Sequence, residues 1–270
     1  MALIDIQDVQ VAYGSPPRTI LNNICLLIAE GDFVCLLGET GCGKSTLLRL
    51  VLGSEKPTGG RVLIDGTEHL QPDRSRGYVP QKYSLFPDRT VLDNITFGPE
   101  VSEFNLFTRL TPRYFRSRRE LQSKARDYLR KIGLSEADAS KYPDELSGGM
   151  QQRVAIAQAL MMEPRILLMD EAFSALDPAT RKEMQQLIRK LWRDSGVTVL
   201  FVTHNMQEAL ALASRVVVLA KSDESSGSRV VLDLAVPPQC SEQEIPLLMK
   251  RIECASSSRR ASVDVPIAVG

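Results

Sequence analysis

The residues with the clearest chemical meaning form one short glycine-rich segment, Gly38-Glu39-Thr40-Gly41-Cys42-Gly43-Lys44-Ser45-Thr46. A glycine, four free positions and then Gly-Lys-Ser make the pattern of a phosphate-binding loop. Glycines allow positive φ, so successive backbone N–H groups can turn inward and bind an anion at a helix N-terminus. Lys44 supplies a positive charge for the β and γ phosphates, and the Ser45 hydroxyl is placed to ligate Mg²⁺. The segment therefore predicts a nucleotide phosphate site.

Two adjacent carboxylates and a histidine follow apolar segments later in the chain. Residues 166–169 are of buried-strand type and end at Asp170 and Glu171. Asp170 suits a Mg²⁺ contact through water, and Glu171 is placed to activate an attacking water. His204 stands just past the apolar segment 197–202, where open α/β sheets place ligand contacts. One interpretation makes His204 a sensor of the γ-phosphate, and the other makes it a capping or packing residue.

A second anion-binding helix terminus is predicted at Ser147-Gly148-Gly149-Met150-Gln151. Ser147 is a candidate N-cap, and that would be a sufficient structural explanation for it. A Ser-Gly-Gly start also exposes N–H groups at the positive end of a helix dipole, which favours an anion there. Asp177, followed by Pro178, has the pattern of an ordinary helix start.

Three further polar residues have weaker signals. Tyr13 ends a predicted strand, where its ring either stacks on a base or packs on the core. Gln81 follows a short strand closed by a proline, and taken alone it would be a surface glutamine. His69 lies in a polar turn and is interpreted as a surface residue.

The spacing of apolar residues, which predicts the strands and helices that position these residues, changes along the chain. Alternation over 4–13 and 24–28 predicts an antiparallel β region ahead of a buried strand at 33–37. Helical spacing follows the phosphate loop and returns between 91 and 133 and after Asp177. We expect the packed core to end near Lys221. Beyond it, the sequence predicts a strand at 230–234, a short helix at 245–252 and a mobile tail at 256–260.

Composition limits the function classes. The chain has 270 residues, 43% of them hydrophobic, and 33 basic residues balance 33 acidic ones, so no global footprint for nucleic acid is present. The longest apolar run has six residues, at 24–29, well short of a membrane span, and no secretory leader is evident. Five cysteines lack zinc spacing and are interpreted as buried or incidental thiols.

Within this neutral chain, residues 109–131 carry nine basic side chains against two acidic ones, a local excess of seven positive charges. A solvated helix face is one interpretation. A patch that meets anionic lipid headgroups or an acidic partner loop is the other.

Taken together and in this order, the motifs resemble the ATP-binding-cassette ATPase family over about residues 3–222. The strings Leu-Ser-Gly-Gly-Met-Gln-Gln-Arg from Leu146 and Asp-Glu-Ala-Phe-Ser-Ala-Leu-Asp from Asp170 are similar to those of ATP-binding subunits of bacterial importers, particularly the nitrate/sulfonate/taurine type. The resemblance implies an α/β P-loop NTPase core with an antiparallel β subdomain and a helical subdomain at about 85–160. Residues 223–270 would form a short extension. The span from Gln81 to Ser147 is longer than in compact relatives, with the basic run as the insertion.

The resemblance also implies roles for individual residues. Tyr13 would stack on adenine, and Gln81 would contact Mg²⁺ together with Ser45 and Asp170. Glu171 would be the catalytic base and His204 the switch histidine, with Lys44 stabilising charge. The ATP-contacting set would be completed by the loop from Gly38 to Thr46, the signature residues Ser147, Gly148, Gly149 and Gln151, and Asp177.

The implied function is Mg²⁺-dependent ATP hydrolysis at the cytoplasmic face of the inner membrane, with ATP and Mg²⁺ as cofactors. A second ATP-binding subunit, transmembrane permease subunits and a substrate-binding protein are the implied partners, and nucleic acid is not among them. Two alternatives stay open. One is a soluble ATPase that acts on translation or DNA, and the other is a regulatory module that binds ATP without useful hydrolysis.

Overall fold

The structure is a computed structural model that describes residues 2–68, 71–82, 84–104, 112–221, 226–237 and 244–257. His69, Arg109 and Cys240 lie outside the described residues, as does most of the proposed tail from Ser258 onward.

Within these ranges ten strands form one sheet, in the spatial order β5-β4-β1-β2-β10-β9-β3-β8-β7-β6. The strands are β1 (Ala2–Tyr13), β2 (Arg18–Ala29), β3 (Phe33–Leu37), β4 (Gly59–Ile64), β5 (Thr67–Glu68), β6 (Arg76–Val79), β7 (Ile166–Asp170), β8 (Thr198–Val202), β9 (Arg215–Lys221) and β10 (Ser228–Ala235).

The sheet has an antiparallel part and a parallel part. β1 pairs antiparallel with β2 and with β4, as the alternating pattern predicts. β9, β3, β8, β7 and β6 pair parallel, so their carboxyl ends meet along one edge. Because the phosphate loop, Asp170 and the residues after β8 all follow such strand ends, this edge gathers the candidate site.

The described residues include seven α-helices that cover the sheet: α1 (Lys44–Leu52), α2 (Val91–Glu103), α3 (Pro112–Lys131), α4 (Gly148–Leu160), α5 (Pro178–Ser195), α6 (Met206–Leu212) and α7 (Glu244–Ser257). No helix in the described part of the chain is both long and apolar enough to cross a bilayer. The helical spacing predicted between 91 and 133 is present as α2, which ends at Glu103, and α3, which begins at Pro112.

β3 shows how the core is divided between two faces. Phe33, Cys35 and Leu37 join a cluster with side chains of α2 to α7. Val34 and Leu36 join a second cluster, with α1 and the antiparallel strands. A strand buried on both faces reads as a continuous apolar run rather than as an alternating one, which is the pattern seen at 33–37.

The expectation that the packed core ends near Lys221 is wrong. β10 pairs antiparallel with β9 along its whole length and meets β2 at Ser228, so it lies inside the sheet. Leu248 and Ile252 of α7 are buried in the larger cluster. The predicted helix at 245–252 is confirmed and is longer than expected, and it includes Ser256, which was assigned to the tail. The division of the chain at residue 222 stays a prediction.

Candidate functional site

The phosphate loop joins β3 to α1, with Gly43 as the helix N-cap at φ +92°. The Lys44 side chain is almost fully buried. Its ammonium folds back over the loop, where Nζ donates to the carbonyl oxygens of Gly38 at 2.7 Å and Glu39 at 2.9 Å. The loop therefore wraps around the Lys44 ammonium group. This positive charge lies where the loop would bind an anion such as a phosphate.

Gly38 shows why this loop needs glycine. Its φ is +154°, and a Cβ placed on it would lie 2.4 Å from the Leu219 carbonyl oxygen and 2.6 Å from Cys42 Sγ. Since real Cβ atoms keep at least about 3 Å from such neighbours, no side chain fits. Cys42 belongs to the loop and its side chain is buried, and this burial raises the pKa of its thiol.

Ser45, Asp170 and Tyr78 form a cluster of oxygen atoms beside the loop. Ser45 Oγ donates to Asp170 Oδ1 at 2.9 Å, and the Tyr78 hydroxyl is 3.5 Å from Asp170 Oδ2. Burial raises the pKa of Asp170, and the neighbouring charge of Glu171 adds to the rise. A carboxylate that has lost part of its hydration gains from a nearby cation.

The chemistry of this cluster fits Mg²⁺, which prefers oxygen ligands and usually binds through one or two protein side chains plus substrate phosphates. Ser45 and Asp170 are the residues that could hold it. Among the described residues, no group of three or more His, Cys, Asp or Glu side chains is placed to hold a metal ion, so a site built only from such side chains is not seen there.

Glu171 lies next to Asp170 in a different environment, where its carboxylate meets two polar side chains. Its Oε2 is 3.6 Å from His204 Nδ1 and 3.3 Å from Gln81 Nε2, and Gln81 is also 3.4 Å from Ser174 Oγ. Glu171 has φ +46°, a left-handed conformation that side-chain-bearing residues seldom adopt. Its N–H donates to the Val202 carbonyl at 3.0 Å, which ties the strained residue to the end of β8.

The segment after β8 fixes the backbone beside His204 and leaves its ring largely exposed next to Glu171. Buried Thr203 hydrogen-bonds Glu208, and the Asn205 N–H donates to Thr203 Oγ1 at 3.1 Å. The His204 side chain is 60% exposed. The packing interpretation of His204 is therefore wrong, because the ring faces solvent beside Glu171.

Ser147 and Asp177 both act as helix caps, as their patterns predict. Ser147 Oγ accepts from the Met150 N–H at 3.3 Å, and Asp177 Oδ1 accepts from the Ala179 and Thr180 N–H groups at 3.1 Å. The hydrogen bond from Thr180 holds the pKa of Asp177 below its usual value. Gln151 Nε2 donates to the carbonyls of Pro143 and Leu146, at 2.8 and 3.2 Å.

The glycine-rich start of α4 lies against α5 rather than at the phosphate loop. A Cβ on Gly149 would lie 2.5 Å from Thr180 Cγ2, so α4 and α5 approach closely there. No hydrogen bond between described residues joins the segment Ser147–Gln151 to residues 38–46. Within one chain, the two predicted anion-binding termini are thus separate.

Tyr13 stands at the end of β1, and its side chain is 44% exposed. The alternative in which its ring packs on the core is therefore wrong. An exposed ring at a strand end is available to stack on a flat ligand.

Comparison with known proteins identifies the family. The ABC transporter family matches residues 21–174, which is more than half of the chain. The chain belongs to the ABC transporter family. Membership confirms the predicted P-loop ATPase fold and implies ATP binding and hydrolysis.

Characterised and uncharacterised members of the ABC transporter family are similar over most of their length. An uncharacterized ABC transporter ATP-binding protein of Methanocaldococcus jannaschii is 43% identical over 217 residues, covering 80% of this chain and 76% of that protein. The nitrate import ATP-binding protein NrtD of Synechococcus elongatus is 39% identical over 215 residues, covering 80% and 74%.

Solved ABC transporter structures agree with the fold. An ATP-binding cassette solved as a dimer in a post-hydrolysis state, bound to ADP and Pi, has a TM-score of 0.70 and 32% identity, covering 87% of this chain and all of that one. The protein cbiO1 of Clostridium perfringens, part of the ABC transporter complex cbiONQ, has a TM-score of 0.73 and 26% identity, covering 96% and 95%.

Sequence reasoning missed several residues of this ABC transporter site. Tyr78 contacts Asp170, Ser174 contacts Gln81, and the pair of Thr203 and Glu208 holds the backbone beside His204. Tyr78 precedes Gln81 by three residues at the end of β6, so its place at the shared edge of the sheet was a usable signal. The sequence contained no comparable signal for the hydrogen bond from Thr203 to Glu208, because that bond forms only when the chain turns into α6.

Proposed function

We propose that this chain is the ATP-hydrolysing subunit of a membrane importer. The observation that carries the proposal is the placement of Glu171, in a strained backbone conformation, between His204 and Gln81 and directly after Asp170 at the phosphate loop. A carboxylate that is fixed in this way is suited to take a proton from water attacking a bound phosphate.

The loop from Gly38 to Thr46 binds the phosphates through its N–H groups and Lys44. The carbonyl oxygens of Gly38 and Glu39 hold the ammonium in the described structure. On binding, Lys44 exchanges at least one of these bonds for phosphate oxygens, which are charged and make stronger acceptors. The exposed Tyr13 ring stacks on the adenine base.

Mg²⁺ supplies neutralisation of charge on the phosphates, and Ser45 and Asp170 are the residues that hold it. Gln81 was predicted as a third ligand. Its described contacts are with Glu171 and Ser174, so we place it at the water side, where it reports the state of the site to a partner.

In the hydrolytic step, Glu171 orients the attacking water and accepts its proton, while His204 binds the γ-phosphate beside it. Because Gln81 Nε2 and His204 Nδ1 both face Glu171 Oε2, they keep the carboxylate in one orientation. The Glu171 carboxylate is therefore already oriented when the reaction begins. The activation free energy of hydrolysis then does not include the cost of ordering this side chain.

A second ATP-binding subunit completes the site. Ser147, Gly148, Gly149 and Gln151 form an anion-binding terminus that lies apart from the phosphate loop of the same chain, and Asp177 caps the adjoining helix. A head-to-tail pair would bring this terminus of one subunit over the nucleotide of the other. The dimeric relative bound to ADP and Pi supports this arrangement.

Transport requires permease subunits, with a substrate-binding protein as a further component, and places the chain peripherally at the cytoplasmic face of the membrane. The importer direction is supported by relatives named for import of nitrate, spermidine/putrescine and sulfate/thiosulfate. Because these cargoes differ in charge and size at similar identity, they do not define the cargo of this chain.

The test is to tag Glu171→Gln in the native cell, to solubilise membranes in mild detergent with ATP, and to identify what co-purifies. Stoichiometric polytopic membrane proteins are expected, since the variant should hold ATP without hydrolysing it. The untagged strain and a tagged Lys44→Ala variant serve as controls. Recovery with ribosomal or DNA-bound partners would overturn the transport proposal and favour the soluble ATPase alternative.

A further inference from the structure

Among the described residues, the basic residues of α3 fall into two groups, one with ion-pair or aromatic partners and one without. Arg118 and the four basic residues after Glu120 have partners: Arg118 with Asp93 and Glu100, Lys124 with Glu163, Arg126 with Glu136, Arg130 with Asp127, and Lys131 over the ring of Tyr128. That part of the run is a compensated helix surface, as the solvated-face interpretation expects.

The first turns of α3 differ. Arg113, Arg116 and Arg119 are exposed and make no ion pair with any residue in the described part of the chain. They recur every three residues and spread over the outer half of the helix, because each step of three residues turns by about 60°. Phe115 stands beside Arg119, four residues before it, at the border of this half that is opposite Arg113. We call Arg113, Phe115, Arg116 and Arg119 the arginine face. One exposed carboxylate, Glu120, lies among them, four residues after Arg116 and next to Arg119 in the chain.

Folding alone does not explain the arginine face. Arg113, in the first turn of the helix, opposes the helix dipole, and like charges three residues apart repel each other. Phe115 is 57% exposed, which leaves most of an aromatic ring in water. Each feature lowers stability slightly, so together they indicate a surface that is covered by something anionic and partly apolar.

The helix that carries the arginine face is anchored by buried side chains on its inner side. Tyr114, one residue from Phe115, is buried with its ring 5.2 Å from that of Phe104 at the end of α2. The Phe115 ring lies 5.6 Å from Tyr114 on the outer side. On the inner side, Leu121, Ala125 and Leu129 pack into the core. The arginine face is therefore presented by an anchored helix.

We propose that the arginine face binds the anionic lipid surface of the membrane. Exposed basic side chains are attracted to anionic headgroups, and helices that lie at a lipid interface combine Lys and Arg on one face with aromatic or apolar side chains beyond it, as Phe115 lies beyond Arg119. The guanidinium groups meet phosphate headgroups, and Phe115 enters the boundary of the acyl region. The inference rests on the proposed transport function only in that transport brings the chain to a membrane.

A lipid surface suits this face better than an acidic protein loop does. The outer side of a single helix is convex, whereas a protein partner needs a complementary surface of about 800 Å² per side to bind stably. Headgroups need no such complementarity, because they are mobile and each makes its own charged contact.

The experiment is co-sedimentation of the full chain with vesicles of phosphatidylglycerol and phosphatidylcholine, compared with phosphatidylcholine alone. Each basic residue near an anionic surface contributes about fivefold to binding, so replacing Arg113, Arg116 and Arg119 by Gln should weaken binding on the order of 100-fold. Binding of the unaltered chain should require phosphatidylglycerol and fall at high salt. Phe115→Ser should weaken it without changing the salt dependence.

A matched control is available on α5, where Lys182, Lys190 and Arg193 are exposed and unpaired among the described residues. Their replacement by Gln removes the same net charge from the same type of surface and should leave vesicle binding nearly unchanged. Equal losses in the two triple variants, or no binding of the unaltered chain to anionic vesicles, would overturn the proposal.

ATP hydrolysis should be the same in all variants, which separates this test from that of the proposed function. If vesicle binding is absent but the arginine-face variant no longer co-purifies with its permease, an acidic protein segment is the partner instead and the lipid proposal fails.

Discussion

Gly149 can be tested as a packing residue before any nucleotide is added. A Cβ on Gly149 would lie 2.5 Å from Thr180 Cγ2. Ordinary van der Waals contact begins about 0.9 Å farther apart, so Gly149→Ala forces α4 and α5 to separate or to repack. Overpacking of this kind costs about 1–3 kcal/mol, and the better helix propensity of Ala returns up to about 1 kcal/mol.

We therefore expect Gly149→Ala to lower the free energy of unfolding by about 1–2 kcal/mol, measured by urea denaturation followed by circular dichroism. The second substitution is Thr180→Ser, which removes the clashing methyl group and keeps the N–H that Asp177 caps. In the double variant most of the loss should be recovered. Thr180→Ser alone should change stability by less than about 1 kcal/mol, since Thr180 is half-buried.

The outcome separates two reasons for a glycine at this position. Full stability for Gly149→Ala, or no recovery in the double variant, would refute the packing argument. If the double variant recovers stability but not ATPase activity, then Gly149 is also needed for backbone approach to a nucleotide across the subunit boundary.

Three further predictions concern carboxylates. Glu171→Gln should reduce turnover about 10²–10⁴-fold in a steady-state phosphate-release assay while ATP binding persists, and near-normal turnover would remove Glu171 from the base role. Burial raises the pKa of Asp170, so its charged form costs stability above its unfolded pKa of about 3.9. Asp170→Asn should thus raise the midpoint temperature of thermal unfolding of the nucleotide-free protein at pH 7. This increase should vanish below about pH 4, where Asp170 is protonated in both the folded and unfolded states. A lower midpoint for the variant at pH 7 would contradict the argument. Hydrogen bonds from Lys141 and Ser135 lower the pKa of Asp138 to about 2. Asp138→Asn should lower the free energy of unfolding by about 1–2 kcal/mol at pH 7. Urea denaturation should show this difference between the unaltered protein and the variant narrowing as pH falls from about 4 towards 2. A difference that stays constant with pH would show that the charge of Asp138 is not involved.

Sequence patterns predicted the parts of this protein that depend on local order. The phosphate loop, the antiparallel pair β1 and β2, and the caps at Ser147 and Asp177 each follow from a few neighbouring residues. Glycine freedom, alternation and side-chain capping act over short distances, so a linear pattern contains them.

What the sequence did not predict depends on contacts between distant segments. The contact of Tyr78 with Asp170 joins residues 92 positions apart, and the approach of Gly149 to Thr180 joins two helices. The place of β10 was missed for the same reason. Its short apolar pattern after a polar link is typical of a peripheral strand, and only pairing with β9 shows that it is central.

The position of β10 has a consequence for biosynthesis. A growing chain that has reached residue 221 contains the phosphate loop, both acids and His204, but the antiparallel and parallel parts of the sheet are still two pieces. Until residues 228–235 leave the ribosome, β2 and β9 have open edges, the kind of surface on which unfinished chains associate. Every residue of the proposed site therefore precedes β10 in the chain, but the two parts of the sheet join only when β10 pairs with both. Chaperones that cover open strand edges should therefore raise the yield of folded protein.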